Sequence, residues 1–394
     1  MKGKGYCIEL EVGGYSREYC IGNYTLKLLE YVGSSYNVRV EDLLRSLATP
    51  PSRYYLRVNT LNVSVEELVE YAAEKDNLIL SRDEELSDAV YVRVRGPFRI
   101  KCWRTKGVVV ADRFASERVL IGANLYRVGV LNTICSSRGD YTLIVDPLGT
   151  PVGAGFLVDK GSLFVDVVES VYRVPKILEL KAFSEGLLFD QSYPSMIAVR
   201  ALDPKPGDVI VDLTAAPGGK ITYAHQLTGG KAVCVGIDHS KRKILKMLRN
   251  IDRINYTGVR VLKGDSRRAS RILNVRPTKV IVDPPCTALG NRPRLELDVN
   301  EVEVRNVVRL QKSLLYEASR IVEPGGLILY STCTITLSEN EEVVEWAERR
   351  LGLQIVEPSV KAPLSKLTDK PVIRYQPGVH DQPGFFISIL RKRR

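Results

Sequence analysis

The sequence predicts an α/β protein, with a parallel sheet wrapped by helices in the second half of the chain, a small α/β unit at the front and a β-barrel inserted between them. Three observations predict it. From Ser184 onward the strand-like runs VIVDL, AVCVGID, VRVL, KVIVDPP and GLILYSTC alternate with helical stretches, the pattern of a sheet covered on both faces. The middle holds short β-branched runs punctuated by glycine, GVVVAD, YRVGVL, YTLIVD, VGAGFLV and LFVDVVESVYRV, which is the spacing of a small barrel. The front mixes isolated helical and strand patterns. At 394 residues the chain is too long for one ordinary core. The expected divisions are 1–105, 106–178 and 184–394.

In the first division, helical patterns lie around Tyr24 to Tyr31 and Val40 to Leu47, and ATPPSR breaks the second. YYLRV, Tyr54 to Val58, reads as a strand. Ser64 and Glu67 have the spacing of a capping box for a helix over Val63 to Ala73, with Val65, Leu68, Val69 and Ala72 on one face. Asp88 to Arg95 alternates and reads as a strand. One helix, Arg113 to Ile121, interrupts the barrel strands. In the last division, Ile244, Leu245, Leu248 and Ile251 are expected to form the buried stripe of a strongly basic helix. The closing RKRR, Arg391 to Arg394, reads as a basic end that either touches phosphate or is solvated.

Composition bounds the function. Hydrophobic residues make up 44% and charged residues 26% of the chain, values of a globular protein and not of a disordered one. The net charge of +11 favours a polyanionic partner, bound through phosphate contacts and counterion release. The seven cysteines are odd in number and none has C-x-x-C spacing, and with three histidines no metal-centred site is expected. No disulfide framework is expected either. MKGKGYCIELEVGG lacks the apolar run of a signal peptide, and no stretch is long enough to span a membrane. A reduced, cytoplasmic protein is expected, which permits a free reactive thiol. Sparse Gln, His and Met hint at a heat-loving source.

The chemistry concentrates at the ends of the predicted parallel strands. VIVDLTAAPGGK sets Asp212 at a strand end, followed by a turn with Gly218 and Gly219, then Lys220 and a helix. Glycine lets the backbone approach a ligand where a side chain would clash. Asp238 ends the next strand, where an acid suits ribose hydroxyls, and Asp265 ends the third. Three strand-end acids in series point to an adenosine ligand. VIVDPPCTALG places Asp283 and Cys286 at the mouth of a fourth strand, and LILYSTCTITLSENE places Cys333 just past another. Carbon 5 of cytosine is a poor nucleophile. A thiolate adding to carbon 6 makes the ring an enamine whose carbon 5 can attack an electrophilic methyl. A carboxyl group near ring nitrogen 3 would stabilise that adduct, and a base must then remove the carbon 5 proton.

DLTAAPGGK, DPPCTALG, YSTCTITLSENEE, LRVNTL (Leu56 to Leu61) and GFFISILRK (Gly384 to Lys392) together resemble the Sun-domain (NSUN-type) family of RNA cytosine-5 methyltransferases. The resemblance implies a Rossmann-like domain that uses S-adenosyl-L-methionine (SAM). It implies Cys333 as the nucleophile, Cys286 as the residue that assists product release, Asp283 as a contact to the cytosine and Lys220 close to the reacting groups. It assigns Thr214, Ala215, Ala216, Pro217, Gly218, Gly219, Lys220, Asp238, Asp265 and Asp283 to the SAM site. The family usually has Cys where Thr214 stands and Thr where Ile221 stands. DNA cytosine-5 methyltransferases carry the nucleophile in the earlier Pro-Cys motif, here Cys286, and the STC motif argues for the RNA arrangement. VVVADRFASERVLIGANLYRVGVL and DPLGTPVGAGFLV resemble a PUA domain, an RNA-binding barrel. A PUA insert is similar to the branch of the family that acts on the acceptor end of tRNA. The expected partner is therefore RNA, through the tRNA acceptor stem and 3′ end. A ribosomal RNA substrate, or a non-catalytic PUA RNA-binding protein, are the alternatives.

Overall fold

Side chains of a strand alternate between faces, and in the second half of this chain both faces are apolar. The computed structural model describes residues 6–393. In it β1 (Val209–Asp212), β2 (Val233–Asp238), β3 (Val259–Lys263), β4 (Lys279–Val282), β5 (Leu327–Thr332), β6 (Leu353–Val356), β7 (Ile373–Tyr375) and β8 (Phe385–Lys392) form one sheet. Its order is β3-β2-β1-β4-β5-β8-β6, with β7 paired to β8. The first five strands are parallel, and β8 runs antiparallel to β5, β6 and β7. Ile210, Ile281, Leu329 and Ile387 pack on one face with residues of α1 (Tyr193–Ala201), α2 (Gly219–Leu227) and α3 (Lys241–Arg253). Val211, Val280, Ile328 and Phe386 pack on the other with α4 (Glu301–Ile321) and α5 (Glu341–Arg350). The five runs read as parallel strands are β1 to β5. The order reverses between β1 and β4, the point where open α/β sheets bind ligands at the carboxyl ends of their strands.

The chain forms two compact units, one of Tyr55–Tyr91, Leu180–Asn291 and Asn300–Arg394, the other of the residues up to Tyr54, Val92–Glu179 and Arg292–Val299. The front segment 1–105 is therefore divided between them. LRVNTL belongs with the large sheet for a physical reason. Its strand Arg53–Val58 pairs with Leu188–Asp190, and the buried Arg57 donates to Gln191 Oε1 (2.7 Å), the Gly219 carbonyl (2.8 Å) and Thr222 Oγ1 (3.0 Å). The helix Val65–Lys75 opens with the expected capping box, Ser64 and Glu67 each accepting from the other's backbone N–H.

In the other unit a six-stranded sheet runs in the order Leu125–Tyr126, Leu163–Ser170, Pro151–Lys160, Tyr141–Val145, Gly107–Ala111, Val130–Ile134. The helix Arg113–Val119 interrupts it, with Asp112 as N-cap. A hairpin of Tyr6–Val12 and Tyr15–Ile21 turns at Gly13 and Gly14, both at positive φ. Cys7 stands opposite Cys20 across this hairpin and the two form a disulfide, which corrects the expectation of reduced cysteines throughout. The segment Arg292–Val299 returns to this unit. Arg294 N–H donates to the Leu47 carbonyl (2.8 Å), Arg17 to the Leu295 carbonyl (2.7 Å), and Asp298 accepts from Gly22 N–H (3.0 Å) and the Thr25 hydroxyl (2.6 Å).

One expectation is corrected, on α3. The buried face of α3 is Ile244, Met247 and Ile251, while Leu245 and Leu248 are 47% and 45% exposed. At about 100° per residue Met247 and Ile251 fall to one side of Ile244, within about 60° of it, whereas Leu248 lies about 40° and Leu245 about 100° to the other side, at and beyond the edge of the buried stripe. Arg391 and Lys392 are the last residues of β8, Arg391 and Arg393 are exposed, and Arg393 N–H donates to the Gly352 carbonyl (3.2 Å). Arg394 lies outside the described residues. Among the described residues no helix is long and apolar enough to cross a membrane.

Candidate active site

The loop from β1 to α2 carries the first part of the site. Asp212 ends β1 and accepts from Thr214 N–H (2.9 Å). Gly218 caps α2 at φ 108°, a left-handed conformation that favours glycine, and a Cβ there would also sit 3.3 Å from Met247 Cγ. Ala215 is buried, with its N–H on the Ile237 carbonyl of β2 (3.1 Å). The chain thus turns between β1 and β2 through Ala216 and Pro217. Lys220, in the first turn of α2, reaches Asp283 just past β4, with Nζ 2.6 Å from Oδ2. Asp283 Oδ1 accepts from the Ser331 hydroxyl (2.7 Å), and its N–H donates to Thr214 Oγ1 (2.8 Å). Lys220 Nζ also lies 5.5 Å from the Phe385 ring centroid. Thr214, at the position where the family usually has Cys, therefore ties the glycine turn to the Asp283 motif.

Cys286 and Cys333 meet at the same edge, with sulfurs 3.5 Å apart. Their loops are joined by backbone: Gly290 N–H donates to the Cys333 carbonyl (3.0 Å), and Gly384 N–H to the Gly290 carbonyl (2.7 Å). Only glycine fits at 290, because a Cβ would lie 2.2 Å from the Gly384 oxygen. The two thiols are electrostatically unequal. The hydrogen bond with Cys286 holds the Cys333 thiol below its ordinary pKa, with Lys220 acting in the same sense against the opposing effect of burial. The same bond, with burial, pushes Cys286 well above its own. Cys333 is therefore the sulfur poised to ionise.

The remaining acids line the ends of β2 and β3. Asp238 is buried and accepts from Ser240 N–H through Oδ1 (2.8 Å). Asp265 is gripped by its neighbour Arg267 (Nη2 to Oδ2, 2.7 Å), so ligand binding there has to share or displace that guanidinium. Carboxylates at successive strand ends beside a glycine turn form a donor set that fits the ribose and adenine of SAM. Thr214 to Lys220, Asp238, Asp265, Asp283, Cys286 and Cys333 all lie at this edge, and Ser331 and Phe385, which the sequence did not single out, join them. Ser331 lies within YSTC, where strand alternation could have pointed it with Asp283.

Burial pushes the Asp212 carboxyl up to about 7 from an ordinary 3.8. Between those values the folded protein holds a proton that the unfolded chain has released, so this group's contribution to stability is present below pH 3.8 and is lost as pH rises to about 7. Thermal unfolding from pH 4 to 9 will show the loss as a decline in wild type relative to Asp212→Asn that levels above neutrality. A constant difference between the two proteins across that range would rule out a shifted Asp212.

Residues 199–391 match the family model described as 16S rRNA methyltransferase RsmB/F. The chain is 36% identical to the tRNA (cytosine(72)-C(5))-methyltransferase of Pyrococcus horikoshii, over 89% of this chain and 92% of that protein. It is 28% identical to the human tRNA (cytosine(72)-C(5))-methyltransferase NSUN6, over 90% and 87%. Among solved structures it is similar to that of NSun6 from Pyrococcus horikoshii with SFG, at 34% identity and TM-score 0.83, covering 93% of this chain and 98% of that one.

Proposed function

The chain belongs to the RsmB/F family of RNA cytosine-5 methyltransferases, and from that membership we propose that it methylates carbon 5 of a cytosine at the acceptor end of tRNA, at the position named for its relatives, cytosine 72. The observation that carries the chemistry is the pair of thiols 3.5 Å apart beside the Lys220–Asp283 ion pair. The choice of tRNA is supported by relatives of that activity that align along nearly the whole chain, front unit included.

Thr214 to Lys220, Asp238, Asp265 and Asp283 would hold SAM, which supplies the electrophilic methyl group when bound. Cys333 adds as thiolate to carbon 6 of the target cytosine, and the ring electrons move to carbon 5. Asp283, its charge balanced by Lys220, engages the polar edge of the ring and stabilises the adduct. Once Cys333 is bonded to carbon 6 it no longer carries charge, so Cys286 can release its proton to solvent. After methylation of carbon 5, the Cys286 thiolate or a water it positions takes the carbon 5 proton, the 5,6 double bond re-forms and Cys333 leaves as thiolate. The base must leave its stack to reach Cys333, which costs a few kcal/mol and is easiest at a helix end. We assign the six-stranded unit, as a PUA module over 106–178, to holding the RNA. Phe114, 67% exposed beneath the Arg113 guanidinium at 4.2 Å, supports that reading as a stacking and phosphate contact.

The test is methylation of an unmodified tRNA transcript carrying 5-tritiated cytosine. Tritium release equal to methyl incorporation is expected, with both lost when cytosine 72 is replaced by uracil. Methyl transfer without tritium release would exclude carbon 5. Incorporation into ribosomal RNA in preference to tRNA would reassign the substrate and leave the chemistry intact.

A further inference from the structure

We propose that Glu339 is the positioning residue of the two-thiol site, its buried carboxylate gathering the Cys286 loop and the Cys333 loop into one register. The inference rests on the two-thiol reading given above. Glu339 sits in the LSENE stretch and is fully buried, 0% exposed, where an acidic side chain is rare unless it is paired or well hydrogen-bonded. Among the described residues it makes no ion pair. It is satisfied instead by four hydrogen bonds. Thr287 N–H (2.9 Å) and Gln311 Nε2 (3.0 Å) donate to Oε2, and the hydroxyls of Thr287 (2.6 Å) and Thr336 (2.7 Å) to Oε1. Four donors fill the lone-pair sites of a carboxylate.

Those donors flank the reacting sulfurs. Thr287 follows Cys286, and Thr336 lies three residues past Cys333. The Thr287 hydroxyl is 2.8 Å from that of Thr334, the neighbour of Cys333, and Gln311 also donates to the carbonyl of Pro285, the neighbour of Cys286 (3.1 Å). One carboxylate thus holds both loops, which come from different strands. A neutral, apolar residue would meet four orphaned donors, and a glutamine would bring two further donors to a site that needs acceptors. The negative charge has a second effect, because it disfavours ionisation of Cys286 and so helps keep the proton on that sulfur rather than on Cys333.

The experiment uses the full-length protein without RNA. Iodoacetamide alkylation of Cys286 and Cys333 is followed by peptide mass spectrometry from pH 6 to 10 in wild type, Glu339→Gln and Thr336→Val, alongside SAM affinity and single-turnover methylation of tRNA. In wild type Cys333 reacts ahead of Cys286. In Glu339→Gln the Cys333-to-Cys286 ratio at pH 7.5 is expected to fall about tenfold, the effect of one pKa unit. Methyl transfer should slow by a similar factor, with SAM affinity within about twofold of wild type. A ratio within twofold of wild type would overturn the proposal even if activity or melting temperature fell, since a purely structural role lowers those without redistributing thiol reactivity. If Glu339→Gln does not fold, Thr336→Val decides by the same ratio: a fall supports the role and no change overturns it. Wild type that alkylates in this order but ignores tRNA would sink the functional reading and leave the role of Glu339 standing.

Discussion

Cys333→Ala is expected to abolish methyl transfer, by on the order of 10⁴-fold or more, while Cys286→Ala arrests the reaction with RNA attached to the protein. The reason lies in the inequality of the two sulfurs. Carbon 5 gains nucleophilicity only after a thiolate has added to carbon 6, so removing the adding sulfur removes the pathway rather than slowing it. The sulfur held below its ordinary pKa is Cys333, through its hydrogen bond with Cys286, 3.5 Å away, and the nearby Lys220 ammonium. Alanine at 286 deletes that hydrogen-bond partner, so addition should be slower, but it also deletes the group that removes the carbon 5 proton or positions the water that does. The adduct then forms and does not resolve. A denaturing gel of each variant with labelled tRNA and SAM will read both effects, as a retarded protein–RNA band for Cys286→Ala and none for Cys333→Ala. The reverse pattern, with Cys333→Ala active and Cys286→Ala dead and free of adduct, would move the nucleophile to the Pro-Cys motif.

Lys220→Met and Asp283→Asn should each lower kcat by about 10²- to 10³-fold, the usual cost of removing one preorganised charge at a reacting group. Methionine keeps the length and apolar bulk of lysine over the Phe385 ring, so the change is mainly the loss of the ammonium 2.6 Å from Asp283. Asp283, whose side chain is one-third exposed, would then retain only the Ser331 hydroxyl on its side chain and would face the ring without its counter-charge. Asp283→Asn removes the carboxylate and leaves Lys220 without its counter-charge. Because the two groups work as one pair, the double variant should be hardly worse than the poorer single one. Single-turnover rates at saturating SAM will show this. Full multiplication of the two losses would mean that Lys220 and Asp283 act independently.

Much of this site could be read from residue order because its parts sit at the ends of β-branched apolar strands. β1 to β5 are runs such as VIVD and KVIV, and a strand end leaves little freedom in where the next residue lies. The Ser64–Glu67 capping box was legible for a similar reason, being a local hydrogen-bond pattern. What escaped depends on contacts distant in sequence. β6 and β7 are short, and β7 is recruited by pairing with β8. The front hairpin carried its signals, alternation around Gly13-Gly14, but the Cys7–Cys20 bond appears only once the strands are in register. Glu339 is the instructive case. An acidic residue in LSENE reads as solvent-exposed, and only the convergence of Thr287, Gln311 and Thr336 from three parts of the chain makes its burial tolerable.

The eight residues Arg292–Val299 leave the large-sheet unit just after the Cys286 loop and return before α4. This bears on how such an enzyme can be inherited or rebuilt. A recombination that exchanged 184–394 as a cassette would carry Arg294, Leu295 and Asp298 away from Leu47, Arg17 and Thr25, the partners they need at the front of the chain. Modular exchange along this lineage therefore has to preserve the strap and its front partners as a matched set, and a chimaera built from two relatives should place both on the same parental side.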